Sequence, residues 1–354
     1  MPIITTTRRK RRSIKPFQQR ETMKPTGPSV FGPRSNKRTL SSFLILFIGV
    51  MLSIAAVDIW SRRRLSTSSD QQAFRTSVST NQHQKSFEPW STGLAAKQSF
   101  GFFDDIGDTA WSRMRNNAVN FQQYRKPQKP DTGNEDPWRW YINNLEPDFS
   151  CPHAARVGGH GDGPKWVCDP HRLQAKDDCL IYSIGSSGNY LFEDSLLGLA
   201  GKGQCEIHVF DFGDFDRPEN ADNRIFYHPW GLGSSYDDVY SDRIKKIAGE
   251  QEVLTFQEIL RRLNHENRTI DLFKIDCEGC EWSSYKDWID KDLRQIQIEV
   301  HGLPSARSGI SGSDFYNSFR NNSFAMFSKE HNQFTKSCYE LSYIKLSKDF
   351  WETN

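Results

Sequence analysis

Four ionisable residues fall just past the ends of short apolar runs: Asp211, Asp276, Glu278 and His301. A carboxylate can accept hydrogen bonds from ribose hydroxyls or offset a nearby cation, and a neutral imidazole can take a proton from a hydroxyl. The turn Gly185-Ser186-Ser187-Gly188 follows the apolar run from Leu180 to Ile184. It is not G-x-G-x-x-G, and the chain holds no G-x-x-x-x-G-K-[ST]. Neither a dinucleotide pyrophosphate nor a P-loop is therefore expected. An open glycine turn after one strand, with an acid closing the next, suits an adenosyl ligand without a pyrophosphate. S-adenosylmethionine is the obvious candidate.

Such residues converge only if a sheet carries them. Residues 179–211 read as strand, glycine turn, helix, glycine break, second strand and acid. Phe192, Leu196 and Leu199 stand at i, i+4 and i+7, and Gly201 and Gly203 stop the helix. Ile207, Val209 and Phe210 start the second strand. Strand-helix-strand of this length is a βαβ unit with a right-handed crossover, and its ligand crevice lies off the strand carboxyl ends. Arg224 to Gly231 reads as a third strand and turn. Thr255 with Glu258 forms a capping box for a helix whose buried face is Phe256, Ile259, Leu260 and Leu263. The near-continuous apolar run from Ile270 to Ile275 fits a buried parallel strand. A further strand is predicted over Ile296–Val300, and a closing pair over Phe324–Ser328 and Tyr339–Leu346. The pattern is α/β, one doubly wound domain.

Charge is distributed unevenly. The net charge is +2, yet the first forty residues hold a crowd of Arg and Lys against the single acid Glu21. The remainder is mildly acidic, which argues against nucleic acid as a partner of the folded part. Residues 1–39 read as a basic disordered tail. Residues 40–60 hold the uncharged apolar run Leu40–Val57, which at 1.5 Å per residue spans about 27 Å, enough to cross the hydrocarbon layer. We expect a single-pass membrane anchor in the type II orientation, with the folded part in the Golgi or another secretory-pathway lumen. Residues 61–135 read as a polar stem or linker with one short helix in its aromatic stretch, and 136–354 as the folded domain. Trp138 to Leu145 is expected to cap the domain edge. The glycines of residues 157–166 suggest a mobile loop. Seven cysteines leave at least one unpaired within the chain. Cys151, His153, His160, Cys168 and His171 match no zinc-finger spacing, so no metal is expected. A disulfide among Cys151, Cys168 and Cys179, or plain packing, is the expectation there. Asn267-Arg-Thr and Asn321-Asn-Ser are glycosylation acceptors if lumenal.

From about Trp138 to the end, the chain resembles proteins with the type-22 methyltransferase domain, relatives of the FkbM-type methyltransferases. The matching stretches are KWVCD, CLIYSIGSSGNYLFEDSLL, HVFDF, FYHPWGLG, TFQEILRRLNHENRTIDLFKIDCEGCEW, IQIEVHGLP and FSKEHN. The most specific is the KID-x-EG-x-E hallmark at residues 274–281. The resemblance implies a class I methyltransferase fold, a Rossmann-like doubly wound sheet, and S-adenosylmethionine as cofactor. It implies that Gly185, Ser186, Ser187 and Gly188 line the methionine part of that cofactor. Glu193 would orient the first helix or reach the cofactor amine, Asp211 would hold the ribose hydroxyls, and Asp276 would sit beside the sulfonium. Within the hallmark, Cys277 and Cys280 read as packing sites.

Transfer of a methyl group to oxygen is an in-line displacement that needs positioning and a base for the hydroxyl proton. His301 is expected to be that base, or Asp276 in its absence. The expected acceptor is a sugar or small hydroxyl compound, by analogy with FkbM-type enzymes. The competing reading is a methyltransferase-fold binding or scaffold module without turnover.

Overall fold

A computed structural model describes residues 93–124, 136–199, 205–213, 215, 221–236, 239–304 and 309–352. The expected membrane anchor at 40–60 lies outside them. Among the described residues no helix is long and apolar enough to cross a membrane.

In chain order, two helices, Leu94–Gln98 and Asp108–Tyr124, precede the helix Pro137–Asn144. The short strands β1 (Ala155–Val157) and β2 (Lys165–Val167) follow, and then β3 (Leu180–Ile184). The helix Leu191–Leu199 leads to β4 (Glu206–Phe210), β5 (Ile225–His228) and β6 (Trp230–Leu232). The helix Val239–Ala248, β7 (Glu252–Leu254), the helix Phe256–Leu263 and β8 (Ile270–Ile275) come next. The helix Cys280–Trp288, β9 (Leu293–His301), the helix Gly312–Asn321, β10 (Phe324–His331), β11 (Cys338–Lys345) and the helix Lys348–Trp351 complete the series.

The central sheet has seven strands in the order β10-β11-β9-β8-β3-β4-β5. β3 pairs in parallel with both β4 and β8, β4 with β5, and β8 with β9. β11 runs antiparallel to β9 and β10. Strand alternation sends Leu180, Tyr182 and Ile184 to one face and Ile181 to the other. The first face is covered by the helices carrying Phe256, Trp282, Trp288 and Phe315. The second is covered by the helix carrying Phe192, Leu196 and Leu197. Covered on both faces, β3 and β8 bury every residue, as their largely apolar character predicts.

The predicted βαβ unit is present, with two local differences. Leu199 is 43 % exposed, and the helix buries Leu197 in its place, because it ends just there. The predicted third strand is split into β5 and β6 at Pro229, which has no amide hydrogen to donate to a ladder. The capping box is formed: Thr255 Oγ1 accepts from Glu258 N at 3.3 Å, and Glu258 Oε2 accepts from Thr255 N at 2.8 Å.

The folded body begins earlier than the expected boundary at residue 136. Phe103 and Trp111 are buried with Phe149 and Phe350, joining segments before and after the sheet. Trp111 Nε1 donates to Gln98 Oε1 at 2.7 Å, and Arg115 Nε donates to the Phe350 carbonyl at 2.8 Å. The aromatic content that suggested one short helix therefore builds part of the core. Trp140 and Tyr141, expected at a domain edge, are likewise buried in the main core. Three disulfides are present among the described residues: Cys151–Cys168, Cys179–Cys205 and Cys277–Cys280. The last pair is a bridge rather than the two packing sites expected. Cys338 is a free, buried thiol.

Two glycines of one βαβ unit respond oppositely to a methyl group. Gly185 has φ of +77°, and a Cβ there would lie 1.7 Å from the Asp276 carbonyl oxygen. At Gly198, within the helix, a Cβ would meet nothing within 4 Å. Gly185→Ala should cost at least about 1 kcal/mol, whereas Gly198→Ala should add about 0.5–1 kcal/mol. Urea denaturation of the two variants beside the wild type measures both signs.

Candidate active site

The carboxyl ends of β3, β4, β8 and β9 open onto a cleft of about 460 Å³. Gly185, Ser186, Ser187, Asp211, Asp276, Glu278 and His301 all contribute to its wall. The turn after β3 is wrapped around one carboxylate. Asp211 Oδ2 accepts from the backbone N–H groups of Ser186 at 2.9 Å and Ser187 at 2.8 Å. Its Oδ1 accepts from Gly213 N at 3.0 Å. Asp211 therefore shapes the turn as well as facing the cleft, and Oδ1 keeps capacity for a further donor. Gly188, expected with them, is not among the residues that line the cleft; its backbone stands at positive φ beside the Phe215 ring.

Of the remaining expected site residues, Glu193 takes one of the two parts expected of it and His301 differs from its own. Glu193 does not line the cleft. It is fully buried, and its Oε1 accepts from Ser183 Oγ at 2.5 Å, tying the helix to β3. Orienting the helix is the part its position allows, because its side chain points into the layer between helix and sheet. His301 lines the cleft, but as a cation. Burial opposes its charge, yet Glu281, Glu299 and Asp276 more than compensate and push its pKa up to about 10. Nδ1 lies 3.0 Å from Glu281 Oε1, and Nε2 lies 3.9 Å from Asp276 Oδ1. An imidazolium has no lone pair with which to take a hydroxyl proton, so the base expected at His301 is not available there.

A buried charge network positions these groups. Lys165, on β2, is 1 % exposed. Its Nζ lies 3.0 Å from Asp276, 3.5 Å from Glu299 and 2.8 Å from Glu340. Burial works against the Lys165 ammonium, but the carboxylates raise its pKa above the ordinary range. Burial likewise opposes ionisation of Asp276, but Lys165, Lys274 and His301 win and hold its carboxyl well below the usual range. Glu299 goes the other way: burial, then the charges of Asp276 and Glu340, push it up to about 9. The cleft floor thus carries an ionised Asp276 beside two cations, Lys165 and His301, while burial and its acidic neighbours push Glu299 toward its neutral form.

Glu281 links this floor to the backbone. Its Oε2 accepts from Gly279 N at 2.9 Å and its Oε1 from His301 N at 2.9 Å. Lys274 Nζ donates to the Gly185 carbonyl at 2.8 Å, joining β8 to the turn after β3. Sequence reasoning assigned no site role to Lys165, Lys274, Glu281, Glu299 or Glu340. Lys274 and Glu281 were within reach, since both are fixed letters of the hallmark. Lys165 carries no local signal, because its partners lie more than a hundred residues away in sequence.

A mostly parallel sheet with an antiparallel strand near one edge, and a cleft over the carboxyl ends of β3, β4 and β8, is a Rossmann-like ligand-binding architecture. Comparison with known proteins places it more narrowly. The chain belongs to the type-22 methyltransferase-domain family, whose model, described as a methyltransferase domain, matches residues 93–345. No curated protein matches the chain. A solved structure of a protein named as a ribosomal RNA methyltransferase of Plasmodium falciparum is 13 % identical, over 50 % of this chain and 91 % of its own, with a TM-score of 0.30. That likeness is too distant to bear on function.

The network fixes a sign for the pH dependence of stability. His301 has its folded pKa raised from 6.5 to about 10, so its contribution is present below 6.5 and lost as pH rises through about 10. Glu299 has its folded pKa raised from 4.5 to about 9, so the folded state holds the extra proton in between and stability is lost as pH rises from 4.5 to about 9. The melting temperature should therefore fall steadily between about pH 7 and about pH 10. Glu299→Gln should remove part of that fall, and a flat wild-type profile in scanning calorimetry would contradict the network.

Proposed function

We propose that this chain is an S-adenosylmethionine-dependent methyltransferase acting on a hydroxyl of a sugar or small acceptor. The observation that carries the reading is the convergence of the Gly185 turn, Asp211 and Asp276 on one cleft. The cleft volume falls within the range of small-ligand sites. Its residues fit the cofactor in kind. Asp276, kept ionised, offers negative charge to a sulfonium. Asp211 Oδ1 offers an acceptor to ribose hydroxyls, and Phe212 and Phe215 offer aromatic surface to a base. The cofactor, when bound, supplies an electrophilic methyl group. The chain's own part is to orient the acceptor and exclude water. With His301 charged and Asp276 held ionised by its cations, the part of Asp276 is to offset the sulfonium charge, and His301 and Lys165 hold it in place.

The placement we infer is a type II membrane protein with the domain in the secretory lumen. The apolar run Leu40–Val57 supports the anchor. Disulfides persist in oxidising compartments, so the three bridges support the lumenal side. Asn267 and Asn321 are both exposed, which leaves each accessible to glycosylation.

Calorimetry on the detergent-solubilised full chain tests the cofactor site. S-adenosylmethionine should bind, and Asp211→Asn should weaken binding at least roughly tenfold through loss of a charge-assisted acceptor. Unchanged affinity in that variant would reject the assignment. Transfer of labelled methyl groups to cell glycans and hydroxylated metabolites then separates turnover from a binding module. Binding without transfer to any acceptor would favour the module.

A further inference from the structure

At the opposite end of the sheet from the cleft, where the strands begin, three donor side chains face one point. Glu206 and His208 lie on the same face of β4, and His265 lies in the turn before β8. None of the three lines the cleft. Glu206 Oε1 is 3.4 Å from His208 Nε2 and 3.5 Å from His265 Nε2, and the three atoms lie within 4.8 Å of one another. Tetrahedral zinc with bonds of 2.0–2.1 Å separates its ligand atoms by roughly 3.3 Å. The two short edges match that spacing.

The ring nitrogens point their lone pairs the right way. Arg268 Nη1 donates to His265 Nε2 at 3.1 Å, and a guanidinium can only donate. His265 Nε2 is thus an acceptor, and its Nδ1–H is directed at the Tyr182 hydroxyl, 2.8 Å away. His208 Nδ1 pairs with His228 Nε2 at 2.8 Å. Its Nε2 is buried, faces Glu206 and makes no hydrogen bond. His208 itself is 7 % exposed, and its Nε2 lies 3.4 Å from the Glu206 carboxylate. Ligating histidines elsewhere show the same arrangement, with the second ring nitrogen held by a hydrogen-bonding partner. Arg268 also pairs with Glu206 and, at 2.5 Å, with exposed Asp178. A cation already sits at this point on a side chain able to swing outward.

We propose that Glu206, His208 and His265 form a zinc-binding site, with Tyr182 and His228 orienting the two imidazoles and water completing the tetrahedron. Two histidines and one carboxylate suit zinc among the common divalent ions. Bound metal displaces the Arg268 guanidinium toward Asp178. It ties the start of β4 to the turn that feeds β8, two neighbours of β3 that both deliver residues to the cleft. The expectation of no metal rested on cysteine and histidine spacings elsewhere in the chain and did not weigh this cluster.

The test uses the tag-free full chain in detergent, stripped with chelator and titrated with zinc alone. One equivalent should bind with micromolar or tighter affinity, and the melting temperature should rise with zinc. His208→Asn should weaken binding at least roughly tenfold. Glu206→Gln, at a partly exposed position, should do the same while keeping the metal-free melting temperature. Arg268→Ala, which removes the competing cation, should tighten binding. Cys338→Ser is the control for the other His-containing cluster, Glu299, His301 and Cys338. No saturable binding to the folded wild type would overturn the site. So would binding that survives both ligand variants, or binding lost in Cys338→Ser.

Discussion

A buried ammonium among three carboxylates is the constraint on which the cleft depends. Lys165 cannot reach water, and each of Asp276, Glu299 and Glu340 would be costly to bury without it. Removing one partner from such a cluster typically costs about 3–5 kcal/mol, because the remaining charges stay buried. The strands involved come from three parts of the chain: β2 supplies the lysine, β9 supplies Glu299 and β11 supplies Glu340. The contacts of Lys165 with both carboxylates tie β2 to the sheet. The network also decides which carboxylate on the cleft floor is charged. With Lys165 and Lys274 near Asp276, the negative charge settles there, and Glu299 keeps its proton.

Negative charge at Asp276 connects the network to the proposed cofactor. A carboxylate suited to a sulfonium has to remain ionised, and burial alone would favour its neutral form. The surrounding cations prevent this. His301, which the sequence suggested as a proton acceptor, is instead one of those cations, held by Glu281. The same Glu281 carboxylate receives the Gly279 and His301 backbone amides, so one acid fixes both the charge and the spacing of two strand ends.

Much of this was legible in the residues because the signals were local. The βαβ unit follows from apolar runs separated by glycine turns, the capped helix from Thr255 and Glu258, and β8 from a near-continuous apolar run. The convergence of Asp211, Asp276 and His301 follows from the rule that strand carboxyl ends share a crevice. Long-range pairing was not legible. Lys165 lies in a polar, glycine-rich context and gives no sign of burial. The protonation of His301 depends on Glu281 and Glu299, which only the fold brings near it. The early boundary was missed for a related reason: residues 93–124 are polar on average, and only Phe103 and Trp111 show which face packs inward. Glu193 was assigned by family position, and its burial against Ser183 could not be read from spacing.

The three disulfides also bear on the order in which the chain can mature. Their partners are separated by only 17, 26 and 3 positions. Each bridge encloses a stretch short enough to close soon after its second cysteine leaves the ribosome, before β10 and β11 have been synthesised. Cys338 emerges last, when all six others have neighbours to bond, and β11 then carries it into the interior. Sequence proximity thus favours these three pairings over scrambled ones, because short loops cost the least entropy to close.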